Sequence, residues 1–200
     1  MDIYGIIVDV DLSKYEGLTS KQTAKAILIE NGFQESPIDA RLDRYMEDLP
    51  YSYYNVAWSD KIETEEGAKG LLEELRRREI KVGIATGEAE RVSKMRLQKA
   101  SLDEYFIFGA YGEANMEMAE IIKKAAENAK EQFGNAAEWG ILVSSLPGVI
   151  RAGKAAGIRT VGVVNGKTTV EKLKKAGANT IVKSLKDKSA IIKELDIASK

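Results

Sequence analysis

The amino-acid sequence predicts an α/β fold, an open parallel sheet that carries a small helical insertion. Two observations predict the sheet: short apolar runs end at polar residues, and segments with helical periodicity alternate with them from residue 64 onwards. A third observation predicts the insertion, because residues 18–58 contain helical patterns but no convincing strand. Alternating strands and helices imply right-handed crossovers and a sheet covered on both faces, which is the Rossmann-like arrangement.

The elements can be assigned in order along the chain. Residues 3–10 form a short apolar run that ends at acidic residues, as a buried parallel strand does. Thr19 or Ser20 is expected to cap a first inserted helix that ends at Gly32, and a second helix is expected over residues 38–46. Further strands are predicted at residues 81–85, 105–108, 140–143, 160–164 and 180–182. Further helices are predicted at residues 64–75, 88–99, 114–133, 147–156 and 169–175, and from about residue 186 onwards.

This pattern divides the chain into a core, residues 1–17 and 59–200, and a helical cap, residues 18–58. The cap ends in an aromatic segment that contains Tyr51, Tyr53, Tyr54 and Trp58. We expect these rings to form either the core of the cap or a contact between copies of the chain, which makes the cap the expected surface for a homo-oligomer.

The composition excludes several classes of function. The 200 residues include no cysteine and no histidine, which excludes disulfides, thiolate metal sites and Ser–His or Cys–His catalysis. Acid–base chemistry must therefore come from carboxylates, lysine or tyrosine. With 30 basic and 31 acidic residues the net charge is -1, so neither nucleic acid nor a membrane is expected as a partner. No secretory signal or membrane-spanning run is visible, which predicts a cytoplasmic location.

Two of the predicted strands end at residues that suit phosphate chemistry. Asp9 and Asp11 follow the first strand, and ligands bind at such strand ends in an open parallel sheet. Aspartates one residue apart can act as nucleophile and general acid–base or bind a cation together, although in isolation turn and capping roles are the better explanation of such a pair.

A phosphate-binding position is predicted where the strand at residues 81–85 ends. The Thr86 hydroxyl, followed by Gly87 at the start of a helix, suits a phosphate, and Lys94 and Arg96 add positive charge on that helix. Taken alone, these residues equally suit a strand-to-helix turn and a solvated helix face. The segment Gly166-Lys167-Thr168 imitates the end of a P-loop but lacks the glycine that the motif requires five residues earlier.

In this order the motifs resemble those of the haloacid-dehalogenase-like (HAD-like) hydrolases, and among them the small phosphoglycolate-phosphatase-like enzymes. The family pattern is an apolar strand ending in Asp-x-Asp-x-Thr, a second strand ending in Thr or Ser, and a later strand ending in an acidic motif. The segments that carry the resemblance are Asp9-Val10-Asp11-Leu12-Ser13, Ile84-Ala85-Thr86-Gly87, residues 62–106 and residues 151–163. The likeness covers most of the chain outside residues 18–58 and implies a HAD-like core with a small cap.

The resemblance implies the chemistry of a phosphatase. Asp9 would attack phosphorus and form an aspartyl-phosphate, while Asp11 would protonate the leaving alcohol and then activate water. Mg²⁺ would bind Asp9, the carbonyl of Asp11 and an acidic residue after the fourth strand. The substrate would be a small phosphorylated molecule. The residues implied to bind phosphate or neutralise its charge are Ser13, Thr86, Gly87 and either Lys94 or Arg96.

The acidic motif after the fourth strand is substituted. It reads Val143-Ser144-Ser145-Leu146-Pro147-Gly148-Val149, so Ser145 and Val149 stand where the resemblance implies acids. Ser145 is the metal ligand that this position still offers, but serine binds Mg²⁺ poorly and valine does not bind it. Weak Mg²⁺ binding is therefore expected. Glu113, in the loop after the third strand, is the candidate for a replacement carboxylate.

Three functions remain open at this point. The first is a Mg²⁺-dependent phosphatase with weak activity, which rests on Asp9, Asp11 and Thr86. The second is an inactive pseudo-phosphatase that binds a ligand or partner, which rests on Ser145 and Val149. The third is a metal-free dehalogenase, which the retained Asp11 disfavours, because the dehalogenases of this family usually lack that second acid.

Overall fold

The structure, a computed structural model, describes residues 10–57, 62–112, 116–134 and 139–199. Within these ranges the strands are β1 (Gly83–Thr86), β2 (Phe108–Tyr111), β3 (Ile141–Ser144), β4 (Arg159–Val163) and β5 (Thr180–Val182). The helices there are α1 (Ser20–Glu30), α2 (Glu35–Ala57), α3 (Ala68–Arg77), α4 (Glu90–Lys99), α5 (Met118–Phe133), α6 (Pro147–Ala155), α7 (Val170–Ala176) and α8 (Lys188–Ala198).

The described strands pair in parallel, as the sequence predicts. β1 pairs with β2, and β3, β4 and β5 form a second sheet in that order. Thr86 lies opposite Tyr111 and Ser144 lies opposite Gly162, so the strands of each sheet end at one edge. The predicted α/β class with a parallel sheet is thus confirmed. The predicted first strand and its central position lie outside the described residues, apart from Val10.

Helices from several parts of the chain cover the sheet of β3, β4 and β5 on both faces. Alternate residues of β4 point to opposite sides: Val161 and Val163 pack against α3 and α8, whereas the backbone of Gly162 lies against Leu173 of α7. A second cluster joins α5 to β2, with Ile121 fully buried. In the described part of the chain, no helix is both long and apolar enough to span a bilayer.

Residues 20–57 are helical, in agreement with the predicted insertion. α1 begins with a capping box: the Thr19 hydroxyl accepts from the Gln22 N–H while the Gln22 side chain accepts from the Thr19 N–H. α1 and α2 then pack through the buried side chains of Leu28, Ile38 and Leu42. The boundaries of the cap as a separate domain stay a prediction.

The second helix of the cap is longer than predicted. The expected helix over residues 38–46 is Glu35–Ala57 in the structure, and it continues through Pro50. Proline removes a backbone donor and usually ends a helix. Here the residues on both sides of Pro50 pack against α4, and this burial keeps both halves helical. The cluster consists of Met46, Leu49, Tyr53, Ala89 and Val92, with Tyr45 beside them.

The aromatic segment divides between this cluster and the surface. Tyr53 is partly buried against α4, whereas Tyr51 and Tyr54 are 59% and 51% exposed. The Arg91 guanidinium lies 4.9 Å from the centre of the Tyr51 ring. Tyr51 and Tyr54 are therefore not part of a cap core, and for them the contact between copies stays the prediction. Trp58 lies outside the described residues.

The strand predicted at residues 105–108 is displaced along the chain. The structure has a 3-10 turn at Asp103–Tyr105 and begins β2 only at Phe108. Tyr105 is buried against α3, where the Arg76 guanidinium lies 4.6 Å from its ring centre. The first half of the apolar run therefore packs as a turn, and strand pairing begins where the Ile107 N–H donates to the Val82 carbonyl, 3.0 Å away.

A buried carboxylate ties α8 to the starts of β4 and β5. Glu194 is 7% exposed; its Oε1 accepts from the Thr180 hydroxyl at 2.6 Å, and its Oε2 accepts from Nε and Nη2 of Arg159 at 3.1 and 2.9 Å. The hydrogen bond from Thr180, together with those from Arg159, holds the pKa of Glu194 below its ordinary value. The ionised form is thus the one that the fold binds.

We expect Glu194→Ala to lower the free energy of unfolding by about 2 kcal/mol, because three charge-assisted hydrogen bonds are lost. Urea unfolding at neutral pH measures this. Folding lowers the pKa of Glu194 below 4.5. The ionised carboxylate therefore stabilises the fold fully above pH 4.5, and this stabilisation is lost as the pH falls through the pKa of the folded state. The difference in the free energy of unfolding between wild type and Glu194→Gln should therefore become smaller at acid pH. Glu127→Ala, which removes an exposed partner of Lys124, serves as the control and should cost under about 0.5 kcal/mol.

Candidate functional site

The loop after the predicted first strand is anchored to the cap. Asp11 is exposed and precedes a 3-10 turn, Leu12–Tyr15, in which the Lys14 N–H donates to the Asp11 carbonyl at 3.2 Å. Tyr15 is buried, and its hydroxyl donates to Oε2 of Glu30 at 2.6 Å. That bond and burial raise the pKa of Tyr15, so it stays a neutral donor. The turn that carries Asp11 is therefore fixed to the end of α1.

The end of β1 supplies the predicted phosphate-binding position. Oγ1 of Thr86 accepts from the Glu88 N–H at 3.2 Å, so the hydroxyl proton remains for another acceptor. The next residue must be glycine, because a Cβ at position 87 would lie 2.7 Å from the Cα of Thr19. The Gly87 carbonyl also accepts from the Ser20 N–H at 2.8 Å. The Thr86 hydroxyl therefore lies directly beside the first turn of α1.

Two more glycines bring the neighbouring loops into backbone contact. A Cβ at Gly112, after β2, would lie 2.1 Å from the carbonyl oxygen of Gly87. A Cβ at Gly148, after β3, would lie 2.3 Å from the carbonyl oxygen of Glu16. Any side chain at these positions would push the loops apart. The loops that carry Asp11, Thr86 and Ser145 thus meet at one edge of the sheets.

An ion pair lies next to Thr86. Arg96 donates from Nη1 to Oε1 of Glu88, whose Oε2 accepts from the buried Ser93 hydroxyl at 3.2 Å. The N–H of Glu88 donates to Oγ1 of Thr86, which holds this ion pair next to the end of β1. Arg96 is therefore placed beside the candidate site, but its charge is already offset by Glu88.

Lys94 lies on another face of the same helix. It pairs with Glu90 at 2.5 Å and lines a separate surface depression with Glu90 and Gln98. Residues two positions apart in a helix point roughly 200° away from each other, so both side chains cannot face one site. Of the two cations proposed from the sequence, the structure thus places Arg96, and not Lys94, next to Thr86.

The fourth-strand loop does not provide the acids of a magnesium site. Ser144, the last residue of β3, accepts the Leu146 N–H at 3.1 Å through its hydroxyl, and Val149 packs against the apolar cluster of α5. Among residues 10–57, 62–112, 116–134 and 139–199, no three acidic side chains come together to hold a metal ion. The described residues therefore do not fit the metal set that the motifs imply. Asp9 and Glu113 lie outside them, and so does the side chain of Ser13.

Sequence reasoning missed two polar contacts at this edge. Glu88 is eight residues before Arg96, a spacing that carries no helical signal, so its ion pair could not be anticipated. Nε2 of Gln22, in the first turn of α1, donates to Oε1 of Glu117 at 2.7 Å, which joins the cap to the residue that caps α5. The sequence holds no pattern that links residues 95 positions apart.

This arrangement defines the class of protein. A parallel α/β core, a helical insertion, and an aspartate near a hydroxyl at the carboxyl edge of the strands are what a phosphoryl-transferring hydrolase of the predicted type requires. The chain belongs to the haloacid dehalogenase-like hydrolases, since the model of that family matches residues 2–163. A comparison with curated proteins gives no match.

Solved structures share the fold. A structure described as a predicted phosphatase from Clostridium acetobutylicum is 22% identical, with a TM-score of 0.68 over 94% of this chain and 84% of that chain. A beta-phosphoglucomutase from Clostridium difficile is 20% identical, with a TM-score of 0.68 over 94% and 82%. An archaeal beta-phosphoglucomutase from the hyper-thermophilic Pyrococcus sp. strain ST 04 is 21% identical, with a TM-score of 0.63 over 98% and 88%. At these identities the likeness establishes the fold alone.

We expect Gly87→Ala to destabilise the protein by about 1–3 kcal/mol, because the new methyl group meets backbone atoms that cannot rotate away. Gly140→Ala is the matched control, since a Cβ there meets nothing within 4 Å. Urea unfolding of both variants measures the difference. Equal stability of the two variants would show that the loops at the strand ends are not in the contact described above.

Proposed function

We propose that this protein is a phosphatase-type hydrolase in which Asp9 attacks a small phosphomonoester and turnover is slow. The observation that carries the proposal is that the segments following Asp11 and Thr86, which come from two separate motifs, are in backbone contact: the Gly87 carbonyl accepts from the Ser20 N–H at 2.8 Å, and a Cβ at Gly87 would lie 2.7 Å from the Cα of Thr19. Membership of a hydrolase family that includes phosphatases supports the reaction type. The net charge of -1 favours a small phosphorylated molecule over nucleic acid as the substrate.

The chemistry needs two carboxyl groups and a hydrogen-bond donor. A carboxylate oxygen of Asp9 forms a bond to phosphorus while the P–O bond to the alcohol breaks, and Asp11 donates its proton to the departing oxygen. Water then attacks the aspartyl-phosphate, Asp11 accepts the proton from that water, and inorganic phosphate leaves. The Thr86 hydroxyl, whose oxygen already accepts from the Glu88 N–H, donates to a phosphate oxygen throughout.

The proposed slow turnover follows from the fourth-strand loop. Phosphatases of this family generally use Mg²⁺, which offsets the repulsion between the nucleophile and the phosphate dianion. Ser145 and Val149 replace the acids expected to bind it, so we propose that Mg²⁺ binding is weak. Losing one well-placed electrostatic stabiliser commonly costs on the order of 10²–10³ in rate.

A pseudo-phosphatase is the second candidate, and one contact favours it. Glu88 neutralises Arg96 in this structure, so the cation next to Thr86 has little charge to offer a phosphate. In such a protein the site around Thr86 would bind a phosphorylated ligand without cleaving it. Turnover that depends on Asp9 separates the two candidates.

We expect slow phosphate release from p-nitrophenyl phosphate, a general phosphomonoester, and we expect Asp9→Asn to abolish it. The measurement is phosphate release at increasing Mg²⁺ concentration. Asp103→Asn, an exposed aspartate in a surface turn, is the control and should leave the rate unchanged. Release by the wild type that survives Asp9→Asn would refute the proposed nucleophile, and no release from any ester would favour the pseudo-phosphatase.

We further expect Ser145→Asp to raise Mg²⁺-dependent release by up to about 10²-fold, because it restores one carboxylate to the loop. Ser145→Asn, which fills the same space without the charge, should not. Adding Val149→Asp is a harsher test, since Val149 packs against apolar side chains and a carboxylate there costs stability. Thermal unfolding of each variant checks that the fold persists. Fast wild-type turnover at low Mg²⁺, unchanged by Ser145→Asp, would mean that another residue supplies the missing ligand.

A further inference from the structure

Glu88 is held at four of its atoms beside the candidate phosphate position. Its N–H donates to Oγ1 of Thr86 at 3.2 Å, and its carbonyl accepts from the Gly112 N–H at 2.9 Å. Its Oε1 accepts from Nη1 of Arg96, and its Oε2 accepts from the Ser93 hydroxyl at 3.2 Å. The backbone contacts hold the residue at the ends of β1 and β2, while the side-chain contacts hold the carboxylate against α4. The carboxylate is therefore a fixed negative charge next to Thr86.

The contact with Ser93 distinguishes this carboxylate from a solvated surface group. Ser93 lies in the first turn of α4 and is 2% exposed, and its hydroxyl points back to the residue that precedes the helix. A buried donor restricts the conformations of the side chain that it binds. Negative charge is also favourable at the start of a helix. Both effects keep Glu88 where it binds Arg96.

A second ion pair on the same helix shows what an ordinary surface pair looks like here. Lys94 binds Glu90, four residues earlier in α4, at 2.5 Å, which is a spacing that solvated helices commonly use. The pair of Glu88 and Arg96 spans eight residues and joins the helix to the loop after β1. The fold thus directs Arg96 specifically to the residue that contacts Thr86.

We propose that Glu88 is an internal competitor for Arg96, and that it keeps the affinity of the Thr86 position for phosphate low. This inference rests on the proposed function, because it concerns the same phosphate position. While the carboxylate binds Arg96, the pair has no net charge, and a phosphate dianion beside Thr86 faces the like charge of Glu88. The dianion gains the guanidinium only when Arg96 exchanges the carboxylate for a phosphate oxygen.

The test is the binding of inorganic phosphate to the full chain, measured by isothermal titration calorimetry at a pH where phosphate is a dianion. Glu88→Gln keeps the size of the side chain, and its amide oxygen still accepts from Ser93 and Arg96, but the charge is lost. We expect this variant to bind phosphate about fivefold more tightly or better, because Arg96 is no longer neutralised. Glu88→Ala, which removes the side chain altogether, should give a similar gain. The gain should become smaller as the salt concentration rises.

Two further variants decide whether the gain comes from Arg96. Glu90→Gln is the matched control, since it removes the same charge at the start of the same helix but releases Lys94, which lies on another face. It should leave phosphate affinity unchanged. Adding Arg96→Ala to Glu88→Gln should return the affinity to about that of the wild type, because the site then again has no net charge from this pair. Thermal unfolding of each variant checks that the fold persists.

Several outcomes would overturn the inference. Glu88→Gln might be expected on structural grounds alone to weaken binding, and weaker, unchanged or undetectable binding by this variant would show that Glu88 does not compete for Arg96. An equal gain in Glu90→Gln would show that only the net charge of the protein matters. A gain that persists after Arg96→Ala would show that the cation beside Thr86 is not what the carboxylate withholds.

The same variants distinguish this inference from the proposed function. Phosphate release that Asp9→Asn abolishes, together with phosphate binding that Glu88→Gln leaves unchanged, would overturn the competitor and leave the phosphatase standing. Tighter binding by Glu88→Gln without any release sensitive to Asp9→Asn would support the competitor and overturn the phosphatase.

Discussion

The candidate site depends on backbone contacts that only glycine permits. Gly87 lies between Thr19, at the start of the cap, and Gly112, at the end of β2, and both neighbours are closer than a Cβ allows. Gly148 makes a similar contact with Glu16. These contacts set the distances between loops that are far apart in sequence. The positions of Thr86 and the fourth-strand loop follow from them, because these residues adjoin Gly87 and Gly148, and Asp11 precedes Glu16, the partner of Gly148, by five residues.

The charged groups described around the site are paired with one another and are not gathered as the ligands of a metal ion would be. A divalent cation requires several carboxylates in one place, and these repel one another until the metal binds. Here Glu88 is neutralised by Arg96 and hydrogen-bonded by Ser93, and Val149 contributes to the apolar core instead of the site. Among the described residues of this edge, the charged groups are thus offset by protein contacts. α6 begins at Pro147, between Ser145 and Val149, so the loop leads into a helix without acids at these two positions.

Much of the fold could be predicted from the sequence because its local signals agree with its packing. Thr180–Val182 is a strand as predicted, and Thr19 caps α1 through the expected side chain. Prediction was wrong where contacts between distant residues override a local signal. Pro50 would end an isolated helix, yet packing against α4 keeps α2 continuous, and burial of Tyr105 turns part of an apolar run into a 3-10 turn.

The candidate site was predictable only in part. Motif order placed Thr86 and Asp11 at strand ends, and in the structure the segments that follow them are in contact through Gly87 and Thr19. Which of two cations faces Thr86 depends on the rotation of α4, and a two-residue difference in sequence does not reveal that rotation. Ion pairing is harder still to foresee, since the pairing of Arg96 depends on Glu88, which precedes the helix that carries Arg96.

One peptide group connects the cap to the Thr86 hydroxyl. The carbonyl of Gly87 accepts from the Ser20 N–H, and the N–H of the same peptide, that of Glu88, donates to Oγ1 of Thr86. Because a peptide group is planar and rigid, its two ends must tilt together. A movement at the start of α1 is thus transmitted to the Thr86 hydroxyl without any side chain in between. The orientation of the Thr86 hydroxyl is therefore coupled to the first turn of α1 through the peptide between Gly87 and Glu88.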